Sequence, residues 1–172
     1  MNITHEIAAK MHEVRKTWFK LVDYWKASNA SKKWQLIIYD AIIRSKLLYG
    51  LETIHLTGAM QKKLNAFQMR GLRQILKMEH THVNRSNTNE KILATASSIA
   101  YPPDGKSPHR RIMKFTEFHE KRRTSLLGHL IRCPNEDPLT QITFQNDSAQ
   151  RNIIGKKRIG KPRQNCIHQA KK

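Results

Sequence analysis

Lys63-Leu64-Asn65-Ala66-Phe67-Gln68-Met69-Arg70-Gly71-Leu72-Arg73-Gln74-Ile75-Leu76 is the stretch that decides how this chain folds. At about 100° per residue, Leu64, Phe67, Gly71 and Ile75 share one helical face. Lys62, Lys63, Arg70, Arg73 and Lys77 fall within an arc of roughly 100° on another. A helix with one apolar and one cationic stripe packs by the first and can hold a phosphate backbone by the second. Long basic side chains on an ordinary solvated helix give the same pattern, so the rest of the chain has to decide.

Charge favours the phosphate reading. The 172 residues carry 32 Lys plus Arg against 13 Asp plus Glu, a formal net charge of +19 and a pI near 10.3. Self-repulsion at this charge opposes a compact state and calls for association with a polyanion. The excess is spread over three segments: residues 31–80 have nine cations against three acids, residues 106–123 seven against two, and residues 148–172 eight against none. Residues 124–147 are net acidic. Three separate basic segments suit an extended anion better than one small phosphate ligand.

The length fits one domain, or a small domain with a basic appendage. Hydrophobic residues make up 38% of the chain, with 5 Phe, 4 Tyr and 3 Trp, enough for a modest helical core but not for a large enzyme cavity. Cys133 and Cys166 form no CxxC pattern, which fits a reducing compartment without a disulfide framework. No run of about 18 apolar residues exists, so the sequence predicts no membrane span. The N-terminus, with His5, Glu6, Lys10 and Glu13, lacks the apolar region of a signal peptide.

The apolar spacing predicts a first helix over Thr4 to Ser28, with Ile7, Met11, Val14, Trp18, Leu21, Val22 and Trp25 in one narrow seam suited to intramolecular packing. Trp34 to Tyr49 reads as a central helix covered on several sides, because Trp34, Leu36, Ile37, Ile38, Ile42, Ile43, Leu47 and Leu48 go most of the way round it. Gly50 is placed to end it. The basic-striped helix follows from Thr57 or Gly58 to Met78, then a polar loop from Glu79 to Ser86. Asn87, with Glu90 three residues on, has capping-box spacing for a short helix to about Ile99. Tyr101-Pro102-Pro103-Asp104-Gly105-Lys106-Ser107-Pro108 breaks the pattern. Helical periodicity resumes at His109 with Ile112, Phe115, His119, Leu126 and Leu130. Pro134 and Pro138 stop it, Thr140 to Phe144 is strand-like, and from Gln145 the chain is polar, basic and expected to be disordered when free. The fold class is therefore all-α, a small helical bundle with a basic tail: residues 1–100 form the bundle, 101–108 a linker, 109–133 a long basic helix, and 134–172 a basic extension.

Five pieces together resemble the segment just after the catalytic palm in reverse transcriptases of non-LTR, LINE-type retrotransposons. They are the helix from Glu6-Ile7 to Leu21; Leu48-Tyr49-Gly50-Leu51-Glu52; Phe67 to Leu76; Leu127-Gly128-His129-Leu130-Ile131-Arg132; and Gly155-Lys156-Lys157-Arg158-Ile159-Gly160-Lys161-Pro162-Arg163. Their order and approximate spacing are similar to the family's, and they cover nearly the whole chain. The resemblance implies a helical thumb that grips template–primer duplex beside the palm, followed by a basic extension. It also implies a fragment or truncated copy of such an element's reading frame, or a domesticated short protein. The family's paired polymerase aspartates are absent, since no Asp-Asp occurs here, and neither are fingers, palm or endonuclease represented. Polymerisation needs carboxylates to hold two metal ions, so this chain alone is expected not to polymerise. Many family members carry an aromatic residue after the Gly-Lys-Pro-Arg stretch; Gln164-Asn165-Cys166 stands there instead.

Other constellations carry less. His80-Thr81-His82 with Cys166 and His168 lacks zinc-site spacing and reads as solvated loop histidines. Cys133 beside Arg132 has no assigned base, and Ser125 and Ser148 have no partner histidine. Lys156-Lys157-Arg158 and Gly160-Lys161-Pro162-Arg163 suit a nuclear-targeting run, a minor-groove arm or a disordered polycation held by phosphates.

The expected activity is sequence-independent binding of duplex or RNA–DNA hybrid through phosphate contacts from Lys62, Lys63, Arg70, Arg73 and Lys77, with Arg110, Arg111, Lys114, Lys156, Lys157, Arg158, Lys161 and Arg163. No metal or other cofactor is expected, nor a membrane partner. The missing palm and fingers are possible further partners, in an intracellular ribonucleoprotein of nucleus or cytoplasm. The rival readings are a domesticated regulator with specific DNA binding, a helical module docking a protein through a Trp18/Trp25 seam, and a remnant without activity.

Overall fold

A computed structural model describes residues 3–102, 110–134, 136–145 and 148–151. The chain is all-α apart from one short antiparallel strand pair. Its helices are α1 (Ile3–Ser28), α2 (Lys32–Ile38), α3 (Arg44–Leu48), α4 (Gly58–Leu76), α5 (Asn89–Ala100), α6 (Phe115–Arg132) and α7 (Pro138–Thr143). A π-helical turn, Tyr39–Ile43, joins α2 to α3, and a 3₁₀ turn, Leu51–Thr53, follows Gly50. Two compact units result, Met1–Tyr49 with Leu56–Phe118, and Gly50–His55 with His119–Lys172.

In the first unit the α1 seam packs inward through Ile7, Val14, Trp18 and Trp25. The same unit buries Leu36, Tyr39, Ile43, Leu47 and Leu48 from the α2–α3 rod, Leu64, Leu72 and Ile75 from α4, and Ile92 and Ala96 from α5. Trp18 stands edge-on to Trp25 (ring centroids 5.4 Å apart) and to Tyr39 (5.0 Å), geometries that aromatic quadrupoles favour. Lys46 ties α3 to α1, its Nζ 2.9 Å from Glu13 Oε1 and 3.1 Å from Thr17 Oγ1. Its ammonium holds the Glu13 carboxyl below the usual carboxylate range.

Four expectations need correction. The rod is not covered all round, because Trp34 is 61% exposed and Ile42 40%. The π turn holds an extra residue per turn, which shifts the inward face to Tyr39 and Ile43 and turns Ile42 out. The cap of α5 is Thr88, whose side chain accepts from the Lys91 N–H (3.3 Å), and Asn87 is buried instead. The helix expected over 109–133 starts only at Phe115. Side chains of α4 take over the N–H groups of its first turn: Gln68 Oε1 accepts from Phe115 N (2.9 Å), and Asn65 Oδ1 from Thr116 N (3.4 Å). Before it, Ile112 N–H is held by Ser97 Oγ at 3.1 Å. Finally, Pro138–Thr143 is helical where a strand was expected. Asp137 caps its N-terminus by accepting from Leu139 N (2.8 Å), and Pro138 has the fixed φ that suits a first helical turn. Strand pairing begins one step later, with Phe144 opposite Arg151 and Gln145 opposite Ser148. The expected linker lies largely, and the tail beyond Arg151 entirely, outside the described residues.

Gly71 is required by packing. A Cβ there would lie 2.5–2.7 Å from the hydroxyl end of Tyr39. That ring is fully buried against Phe115, and its hydroxyl donates to the Gln68 carbonyl (3.3 Å). Alanine would gain about 1 kcal/mol of helix propensity. Displacing a ring in a close-packed core costs about 1–3 kcal/mol. Gly71→Ala should therefore lower stability by up to about 2 kcal/mol net in urea unfolding. An unchanged midpoint would mean that Tyr39 has room to move.

The π turn also buries Asp40, whose Oδ2 lies 2.7 Å from Arg44 Nη1 while Oδ1 has no partner. Arg44 in turn stacks over the Phe118 ring at 4.1 Å. Burial raises the Asp40 pKa, against the opposing pull of Arg44 and Arg110. An acid with a higher pKa in the folded state binds its proton more tightly there, so ionisation weakens the fold and acidification relieves it. The native chain should gain stability relative to Asp40→Asn as pH falls from neutral through the folded-state titration of Asp40. Parallel stability curves for the two proteins in denaturant titrations across pH would refute this.

In the second unit, Leu51 is buried and its carbonyl lies 2.8 Å from His119 Nε2. A carbonyl only accepts, so the imidazole carries its proton on that nitrogen. Arg122 Nη2 pairs with Glu52 Oε1 at 2.7 Å, Arg123 with Glu120 at 3.1 Å, and Thr140 Oγ1 donates to the Leu130 carbonyl at 3.4 Å.

Candidate nucleic-acid interface

The cations of α4 separate into two groups. Lys63, Arg70 and Lys77 are exposed and recur every seven residues, which sets them about 10 Å apart along one side of the helix. Lys62 is exposed near its start. Lys77 is more than a charge, because it stops α4: it adopts the left-handed conformation (φ 56°) and donates its N–H to the Arg73 carbonyl.

Arg73, expected on the phosphate-binding face, does not lie there. Only 9% of it is exposed. Its Nη2 donates to the Asn87 carbonyl (3.3 Å) and to Asn89 Oδ1 (2.9 Å), while its Nε finds no partner. The Asn87 side chain closes the same loop by donating to the Glu79 carbonyl at 3.2 Å. Arg73 sits at the edge of the basic arc, and the loop between α4 and α5 folds over that edge. Its guanidinium is an internal tie for backbone that would otherwise lack donors.

The second predicted cluster is partly neutralised. Arg111 pairs with Glu117, and Lys114 Nζ lies 3.8 Å from Glu90 Oε1. Arg110 is exposed but stacks over the Tyr101 ring at 4.8 Å. Lys156, Lys157, Arg158, Lys161 and Arg163 lie outside the described residues.

What the fold adds is a groove between α1 and α4. At one end is a hollow of about 270 Å³ lined by Arg15, Trp18 and Phe19 from α1, Phe67, Arg70, Gly71 and Gln74 from α4, and Tyr39 beneath them. Further along the same helices a hollow of about 460 Å³ is lined by Val22, Trp25 and Lys26 on one side and Gln74, Ile75 and Lys77 on the other, with Lys32 and Gln35 at the end. Trp18 and Gln74 line both, and the Trp18 indole N–H donates to Gln74 Oε1 at 3.2 Å. Cations thus stand on both lips: Arg15, Lys26 and Lys32 opposite Arg70 and Lys77. Of these, among the described residues, only Lys26 has an acidic partner, Asp23 at 3.5 Å. The opposing lip was missed in the sequence, although Arg15, Phe19, Val22 and Lys26 share one side of α1 at helical spacing. They flank the buried Trp18 and Trp25, and that adjacency was the signal available.

Among the described residues no three His, Cys, Asp or Glu side chains come together in a way that could hold a metal ion, and no helix is long and apolar enough to cross a membrane. The His80 and His82 rings stack on each other, with centroids 5.5 Å apart. Comparison with known proteins gives no matching family model, no matching curated protein and no matching solved structure.

Proposed function

We propose that this chain is a nucleic-acid-binding module of the kind that follows the palm in non-LTR retrotransposon reverse transcriptases, holding template–primer duplex or RNA–DNA hybrid by phosphate contacts. The observation that carries the reading is the α1–α4 groove, with unneutralised Arg15 and Lys32 facing Arg70 and Lys77 on a chain of net charge +19. Two cationic lips at helix-to-helix distance are suited to a polyanionic backbone running between or across them. The module binds and does not polymerise, because no paired aspartates are present to hold catalytic metal ions. Polymerase chemistry belongs in this reading to a palm and fingers, which are further partners in an intracellular ribonucleoprotein.

The test is binding of the full chain to labelled RNA–DNA hybrid, duplex DNA and single strands over a salt series. Each phosphate neutralised on a duplex contributes about 0.9 to the slope of log affinity against log salt. A slope of several units with no preference among unrelated sequences supports the proposal. A flat, weak response from a folded chain removes it. A large preference for one DNA sequence at matched salt would favour a specific regulator instead.

A further inference from the structure

Phosphate contacts leave one end of the groove unexplained. The hollow between Arg15 and Arg70 is floored by Trp18 and walled by Phe19 and Phe67. Phe19 is 56% exposed, an aromatic ring open to water between two guanidinium groups that make no ion pair among the described residues. A paired duplex offers this ring nothing, because its bases already stack on one another inside the helix. An unpaired nucleotide offers both a π-face and a charged phosphate, the combination that single-strand sites recognise with aromatic platforms in basic grooves. Gln74 completes the set. Its Oε1 is occupied by the Trp18 indole, and its NH₂ makes no hydrogen bond among the described residues.

The geometry points to this hollow as a site for unpaired nucleotides, in which a base stacks on Phe19 beside Phe67, Arg15 and Arg70 hold the flanking phosphates, and the Gln74 amide donates to the base edge or sugar. The inference rests on the nucleic-acid reading above and narrows it. The preferred ligand becomes a duplex or hybrid that carries a single-stranded overhang, with the paired part on the α4 stripe and the unpaired part between α1 and α4. Stacking is blind to base identity, so the site is tolerant of sequence.

The experiment compares labelled RNA–DNA hybrid that is blunt with the same hybrid bearing a short unpaired overhang, using the full chain and three variants. The native chain should prefer the overhang by roughly ten-fold, the scale of one base stacked on an aromatic side chain. Phe19→Ala should bring the two probes to near parity without changing either salt slope, because no cation is removed. Phe19→Tyr should retain the preference. Arg15→Gln should flatten the slope by about 0.7 on the overhang probe. Phe19 is largely exposed, so its removal leaves the core intact, and circular dichroism checks this. Equal affinity of the native chain for both probes overturns the inference, as does an equal loss on both in Phe19→Ala. Neither of those results touches the broader proposal, which fails if every probe binds weakly and without salt dependence.

Discussion

Arg73→Ala should lower the free energy of unfolding by about 3 kcal/mol and leave the salt slope of nucleic-acid binding where it was. Two hydrogen bonds from a charged donor are lost, each worth about 1.5–3 kcal/mol, and the Asn87 carbonyl is left buried with one fewer partner. The packed stem of the side chain goes with them. Arg70, three residues earlier on the same helix, should behave in the opposite way. Its side chain is exposed and makes no ion pair among the described residues, so Arg70→Ala should move stability by no more than about 0.5 kcal/mol while weakening binding. Denaturant unfolding and the salt series, run on both variants, separate the roles. If Arg73→Ala flattens the salt slope without destabilising the chain, the internal-tie assignment is wrong.

The larger effect on binding should come from Lys63→Gln, Arg70→Gln and Lys77→Gln combined. If each cation neutralises one phosphate, the slope should become shallower by about 2.7, and affinity at low salt should fall on the order of 10–100-fold. The three charges stand about 10 Å apart, close to the screening length at moderate salt, so they scarcely repel one another and their removal brings little compensating stabilisation. Unfolding midpoints should therefore stay within about 0.5 kcal/mol of the native chain. A parallel, merely displaced salt plot would show that the stripe does not meet phosphate.

Periodic, locally determined features were legible in the sequence. The α1 seam through Ile7, Val14, Trp18 and Trp25, the start of α4 under the Thr57 cap, and the helix-ending conformation of Gly50 (φ 73°) follow from spacing and local chemistry alone. What escaped was set by distant parts of the chain. Nothing near Arg73 announces that the loop after α4 will fold over it. The start of α6 at Phe115 is chosen by Gln68 and Asn65, some fifty residues earlier. The π turn that turns Ile42 outward adds one residue to a helical count that otherwise reads as regular. The cationic lip on α1 escaped for a different reason: Arg15 and Lys26 look like ordinary surface residues until α4 is laid beside them.

The second unit has a consequence for the order of events at the ribosome. Gly50–His55 is flanked on both sides by chain that belongs to the first unit, yet the Leu51 carbonyl and the Glu52 carboxylate are claimed by His119 and Arg122, 68 and 70 residues downstream. At about 5–20 residues per second of synthesis, Leu51 emerges roughly 3–14 s before the residue that will cover its carbonyl. A nascent chain stalled before His119 would have its first unit's sequence complete and, within it, a turn whose Leu51 carbonyl and Glu52 carboxylate still await their partners. Shortening the chain at that point therefore removes α7 and most of α6 and, at the same time, orphans a turn near the N-terminal third.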